Sequence, residues 1–253
     1  MSLHRFFVAG PLAAGEVRID DESDLHHLRD VLRLGPGDEI AVTDGSAGQA
    51  VARITSIGTA SATAEVVRLL PDASTPDVTL AVGLVRGPKM ELVVQKATEI
   101  GVTRIVPVTM RRSVVRLGAA EGRERAGRWR RIAAEAAKQS QRATLPSVEE
   151  PVEFAQLAGV LAGMDAVLVP WEESAGDGVG EALRRAGATA RSRVAVVVGP
   201  EGGMEPAEVD ALAAFGAVPV TLGRTVLRAE TAAIVAAALV AYELGGLGGL
   251  RRE

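Results

Sequence analysis

Over about the first 70 residues, apolar and polar positions alternate in short runs, with strand-like stretches at residues 39–42, 50–54 and 64–69. A helix-like stretch at 24–34 lies among them and is closed by Gly35-Pro36-Gly37-Asp38. A turn-rich segment at 71–77 follows, after which the pattern changes. β-Branched apolar runs at 78–84, 104–108, 166–169, 194–198 and 218–222 now alternate with segments of helical spacing, including one near 89–100 and one at 231–244. That alternation predicts helices packed on a parallel sheet. The chain therefore divides into a small β-rich domain, residues 1–73, and an α/β domain, residues 74–253.

The two terminal strand–loop–helix units carry the strongest candidate chemistry. Both loops follow a strand, and an α/β sheet places its ligands at the carboxyl ends of strands. In the first loop, Gly199-Pro200-Glu201-Gly202-Gly203, three residues without Cβ let the backbone come close to a ligand. The second, running from Leu222 and Gly223 through Arg224, Leu227 and Arg228 to Glu230, sets two arginines and a carboxylate beside a helix start. Neither Gly-x-Gly-x-x-Gly nor Gly-x-x-x-x-Gly-Lys-[Ser/Thr] occurs, which removes the usual dinucleotide and P-loop readings.

Composition narrows the chemistry by exclusion. The 253 residues contain no cysteine, so a cysteine nucleophile, an iron–sulfur radical centre and a thiolate zinc site are excluded. The three histidines, His4, His26 and His27, all lie in the N-terminal region and are too few to suggest a catalytic metal, and none is expected. Apolar residues make up 47% of the chain, enough for a full core, and no apolar stretch approaches the roughly 20 residues of a membrane helix. With no signal-like N-terminus, a cytoplasmic protein without membrane attachment is expected.

A formal net charge of −4 conceals a basic segment. Between Arg111 and Arg142, ten Lys/Arg face three Glu, a local +7 against −11 for the remainder. Helical spacing from Trp129 puts Trp129, Ile132, Ala133, Ala136 and Ser140 on one side and Arg131, Lys138 and Arg142 on the other. With only Glu135 in that stripe to pair with it, the basic face is expected to meet a polyanion rather than water alone.

The two C-terminal loops, GPEGG and LG-x-x-x-LR-x-ETA, also resemble those of the ribosomal RNA small subunit methyltransferase E family, in the SPOUT class of S-adenosylmethionine-dependent RNA methyltransferases. Further motifs in order, HRFFV, HHLRDVLRLGPGDEI, KMELVVQKATEIGVTRIVPV and RWRRIAAEAAKQSQR, extend the resemblance along the chain. Met204-Glu205-Pro206 departs from the commoner hydrophobe-Ser/Thr that follows GPEGG, a change expected to touch the helix cap more than the ligand loop.

The resemblance implies a PUA-like β-barrel that holds RNA and a SPOUT domain closed by a trefoil knot. It also implies a homodimer that methylates N3 of a uridine in 16S rRNA of the small ribosomal subunit. The cofactor site it implies comprises Val198, Gly199, Glu201, Gly202 and Gly203, then Leu222, Gly223, Leu227 and Arg228, with Pro170 and Trp171 after the preceding strand. RNA contacts are assigned to Arg5, Arg33, Arg111, Arg112, Arg131, Lys138 and Arg142. For the N3 proton, Arg228 is favoured as the stabiliser of developing negative charge, while Glu201 and Glu230 stay open as acceptors. Glu230 also suits a structural role as a first-turn acid, and for Lys89, Gln95 and Glu99 structural pairing and function are equally good readings. Two other classes remain: a non-catalytic RNA- or ribosome-binding protein, which leaves the two loops unexplained, and a nucleotide-dependent metabolic enzyme, which leaves the basic segment unexplained.

Overall fold

In the computed structural model, residues 3–8, 12, 15–46, 48–71 and 75–248 are described, and they form two units. One comprises Met1–Ser74 with Ala137–Leu145, the other Thr75–Ala136 with Pro146–Glu253. Residues 72–74 of the turn-rich segment lie outside the described residues.

The first unit is a five-stranded sheet built from β1 (Arg5–Phe7), β2 (Glu16–Ile19), β3 (Glu39–Thr43), β4 (Gln49–Ile57) and β5 (Ala62–Leu70). The strands run in the order β1-β3-β4-β5-β2, an open path in which the expected barrel is not closed by a ladder between β1 and β2 among the described residues. Phe6, Ile19, Ile40 and Ile54 fill its core together with Leu25 and Leu28. The last two come from the expected helix at 24–34, which is an α-helical turn, α1 (Glu22–His26), continued by a π-helical turn at His27–Val31. The strands β1 and β2 escape the sequence pattern because three or four residues are too few to establish a period.

The second unit is a parallel sheet ordered β12-β10-β11-β6-β7-β8, with β9 also on β7. Its strands are β6 (Asp77–Gly83), β7 (Arg104–Thr109), β8 (Ser147–Val148), β9 (Val152–Glu153), β10 (Ala166–Pro170), β11 (Arg193–Val198) and β12 (Val218–Val220). Both faces are covered, which is why these strands read as continuous apolar runs. Leu80, Val82, Val194, Val196 and Leu168 face one layer, with α2 (Gly87–Ile100), α5 (Val179–Arg185) and α7 (Ala229–Glu243) packed over them. Ala81, Val106, Val169, Ala195 and Val197 face the other, under α4 (Leu157–Leu161) and α6 (Pro206–Ala214). No helix among the described residues is long and apolar enough to cross a membrane.

The basic helix, α3 (Ala119–Gln139), buries Trp129, Ala133 and Ala136 as its spacing predicts. The opposite stripe differs from the expectation. Arg131 is exposed, but Lys138 lies 3.0 Å from Asp21 and 3.1 Å from Asp24. Arg142 lies beyond the helix end, where it donates to Thr144 Oγ1 at 2.9 Å, and burial pushes its guanidinium down to about 10. Arg5, another expected RNA contact, is also engaged internally, by Gln141 O and by Gln49 Oε1 at 2.8 Å. At Lys138, counter-charges from residues far away in sequence answer a position that looked uncompensated on the helix alone. Arg33, Arg111 and Arg112 are exposed.

Lys138 supplies a test in the first unit. Burial favours its neutral amine, but hydrogen bonds to Asp21 and Asp24 outweigh this and hold the ammonium above its usual range. Burial likewise raises the Asp21 carboxyl, and Lys138 with the Asp24 N–H brings it below its usual range. A raised lysine stabilises until the pH climbs through its folded value, and a depressed carboxylate until the pH falls through its own. Lys138→Gln is therefore expected to lose on the order of 1 kcal/mol or more at neutral pH, since the half-exposed Asp21 pair contributes little but the buried Asp24 loses this cation. Denaturant titrations should show wild type and variant converging as acid protonates Asp21; a difference that persists unchanged into acid would remove the ion pair as its cause.

Candidate active site

Three neighbouring parallel strands, β12, β10 and β11, deliver their carboxyl ends to one edge of the sheet. After β10 come Trp171 and Glu172, after β11 the loop Gly199–Gly203, and after β12 the segment 221–228 that enters α7. Between them lie two adjoining hollows that share Pro170, Glu172, Val226, Leu227 and Ala232. The smaller, about 70 Å³, is walled by Trp171, Leu222 and Leu227, with Gly223 and Thr225 at its side. The larger, about 230 Å³, is bounded by Val198, Gly199, Glu201 and Gly203 on one side and by Leu227 and Arg228 on the other.

Every residue expected at the cofactor site borders one of these hollows except Gly202. A Cβ on Gly202 would meet Arg112 Cβ at 3.0 Å and Arg112 O at 3.1 Å, so this glycine admits the arginine-bearing turn after β7. Arg112 Nη1 donates to Gly202 O at 3.3 Å. The neighbouring Gly203 takes φ +72, a left-handed conformation that disfavours any side chain.

The departure at Met204-Glu205-Pro206 reaches further than the helix cap. Met204 is buried and lines the larger hollow, its side chain 3.0 Å from where a Cβ on Gly199 would stand. Glu205 caps α6 with Pro206 at the first helical position, a placement that suits the missing Pro N–H. Glu208, buried one turn in, accepts from Glu205 N at 2.9 Å and from Arg111 N at 2.9 Å. Glu205 in turn lies 3.2 Å from Arg111 Nε. The loop at the hollow and the arginine turn are thus joined by side chains from a single helix start.

The RNA methyltransferase domain family matches residues 72–241, and the RNA methyltransferase PUA domain family matches residues 19–67. A ribosomal RNA small subunit methyltransferase E from Bacillus subtilis is 32% identical over 228 residues, which is 87% of this chain and 88% of that protein. This chain belongs to the ribosomal RNA small subunit methyltransferase E family. The protein of the same name from Mycobacterium bovis is 34% identical over 91% of this chain and 88% of its own length. A crystal structure of the Neisseria gonorrhoeae ribosomal RNA small subunit methyltransferase E bound to S-adenosylmethionine superposes with a TM-score of 0.80. That pair is 28% identical, with 97% of this chain and 100% of the other covered.

In this member of the methyltransferase E family, the charged side chains of the larger hollow come from four segments: Lys89 on α2, Glu172 after β10, Glu201 after β11 and Arg228 before α7. Lys89, on the first turn of α2, lies 3.4 Å from Glu201 Oε1 and 3.4 Å from Glu230 Oε2. Glu230 belongs to the first turn of α7, is buried, and stands behind Lys89 instead of lining the hollow. Partial burial raises the Glu201 carboxyl, but the Arg86 N–H at 3.2 Å, its own N–H and Lys89 together hold it below the usual carboxylate range. Arg228 is the residue that precedes α7, and it is exposed at the mouth. The sequence left Lys89 undecided and passed over Gly83 and Glu172. Gly83 ends β6, and a Cβ there would fall 2.5 Å from Pro200 N. Only its position at the end of an apolar run, before a helix, pointed to it.

Proposed function

We propose that this protein is a cytoplasmic enzyme that transfers the methyl group of S-adenosylmethionine to N3 of a uridine in 16S ribosomal RNA of the small subunit. The observation that carries the reading is the two-lobed hollow at the ends of β12, β10 and β11, walled by Trp171, Leu222 and Leu227 beside Glu172 in one lobe and carrying Lys89, Glu201 and Arg228 in the other. Its chemistry fits the parts of that cofactor. The Trp171, Leu222 and Leu227 walls suit an adenine face, and close backbone approach at Gly199 and Gly203 offers N–H and C=O partners without side-chain interference. When bound, S-adenosylmethionine supplies an electrophilic methyl carbon on a sulfonium. The chain's part is to align the base nitrogen with that carbon and to ease loss of the N3 proton. Arg228 at the mouth is the group proposed to stabilise the resulting negative charge on the uracil oxygens.

On this reading, the RNA approaches over Arg111 and Arg112, whose turn abuts Gly202, and over Arg131. The domain of residues 1–73 adds RNA contacts, Arg33 among them. The reading also includes a trefoil knot at the C-terminal end and a homodimer, for which the exposed Leu239 and Tyr242 on the apolar helix α7 offer a face. Incubation with small subunits lacking the modification and labelled S-adenosylmethionine should place one methyl group on 16S rRNA at N3 of a uridine. Binding of cofactor and RNA without methyl incorporation would return the protein to a non-catalytic role. In the same assay, the Arg111→Gln, Arg131→Gln double variant should bind the RNA with a flatter salt dependence, by roughly 0.7–0.9 in log–log slope per lost phosphate contact. An unchanged slope would remove these arginines from the interface.

A further inference from the structure

We infer that Lys89 reads the carboxylate on the amino-acid end of the cofactor, with Glu201 and Glu230 holding its ammonium in place to do so. The inference rests on the assignment of the hollow to S-adenosylmethionine. That ligand is an adenosine joined to a zwitterion, and a cation facing its carboxylate is a direct way for a site to prefer it over adenosyl compounds that lack that group. Among the described residues the smaller hollow offers none, Glu172 being the only charged side chain on its walls. In the larger, the two cations are Lys89 and Arg228.

The two differ in how they are held. Arg228 is exposed and precedes its helix, whereas Lys89 stands on α2 and is 34% exposed, with a carboxylate 3.4 Å away on each of two other elements. An ammonium has three N–H donors. Glu201 and Glu230 hold it as ion-pair partners at 3.4 Å, with Glu230 Oε2 left without a hydrogen bond, so N–H donors remain for an acceptor in the hollow. The Arg86 N–H on Glu201 fixes one of the two anchors in turn. The pair of carboxylates also exceeds the single ammonium by one charge, which favours the α-ammonium group of the same zwitterion close by. Glu201 borders the hollow and is the residue placed to receive it.

The alternative is a structural bridge in which Lys89 ties α2, the loop after β11 and α7 together without touching the ligand. Calorimetric titration with three compounds separates the two: S-adenosylmethionine, its decarboxylated form, and 5′-methylthioadenosine, which lacks the amino-acid end. Wild type should bind the first about 10- to 100-fold more tightly than the second, the range of one charge-assisted hydrogen bond. In Lys89→Gln that preference should collapse to about threefold or less with 5′-methylthioadenosine affinity unchanged, and Lys89→Arg should restore part of it. Retention of the full preference in Lys89→Gln, or an equal loss for all three compounds, would overturn the inference. Failure of wild type to bind even 5′-methylthioadenosine would overturn the assignment of the hollow, and this inference with it.

Discussion

Arg228→Lys is expected to slow methyl transfer about a hundredfold at saturating cofactor and RNA, the cost of removing one preorganised donor from a developing oxyanion. Lysine keeps the charge but loses the planar fork that can meet a uracil oxygen and a second acceptor together. Because Arg228 lies at the rim of the larger hollow while the smaller hollow is built from other residues, cofactor affinity should change little. Single-turnover methylation of small subunits isolates the chemical step. A near wild-type rate would transfer the role to Glu201 or Glu230, whose Gln variants would then be slow, with relief at higher pH. Of these, Glu201 is the weaker acceptor, since Arg86 N–H and Lys89 hold it in its ionised form. Glu230 is backed against Lys89 outside the hollow, so its proton acceptance requires that lysine to move.

The parts of this architecture that were legible in the sequence share one physical origin. A parallel strand covered on both faces must be apolar along its length, and Val194–Val198 announces itself for that reason. The loops after β11 and β12 are legible because glycine and proline mark where a chain leaves a strand. What escaped was set by partners remote in sequence. Lys89 takes its meaning from Glu201 and Glu230, more than 100 positions away, and the helical pattern around it says only that it is polar. The basic stripe failed for the same reason: Arg131 is exposed, as its helix face implies, but Lys138 is answered by Asp21 and Asp24, which no helical wheel includes. That Gly202 also makes room for the turn carrying Arg112 follows from a residue 90 positions away and could not be read from its own loop.

Gly83 yields the other large effect, because one added methyl group has opposite consequences at two glycines of the same unit. At Gly83 a Cβ would sit 2.5 Å from Pro200 N and 2.6 Å from Pro200 Cδ, distances that no rotamer change relieves because one atom is backbone and the other lies in a ring fixed to it. The strand end or the loop after β11 must move, and that loop forms one side of the larger hollow. Gly127, in the middle of α3, has nothing within 4 Å of its Cβ position, so alanine there removes only the entropic penalty of a helical glycine. Gly83→Ala should thus lose about 1–3 kcal/mol of stability, as overpacked sites do, and more than about tenfold in cofactor affinity as Gly199 and Pro200 shift. Gly127→Ala should gain about 0.5–1 kcal/mol and bind cofactor as wild type does. Denaturant titration and calorimetry on the two variants side by side decide the matter. If Gly83→Ala bound S-adenosylmethionine normally, the loop after β11 would not need its observed position against β6 to form the site.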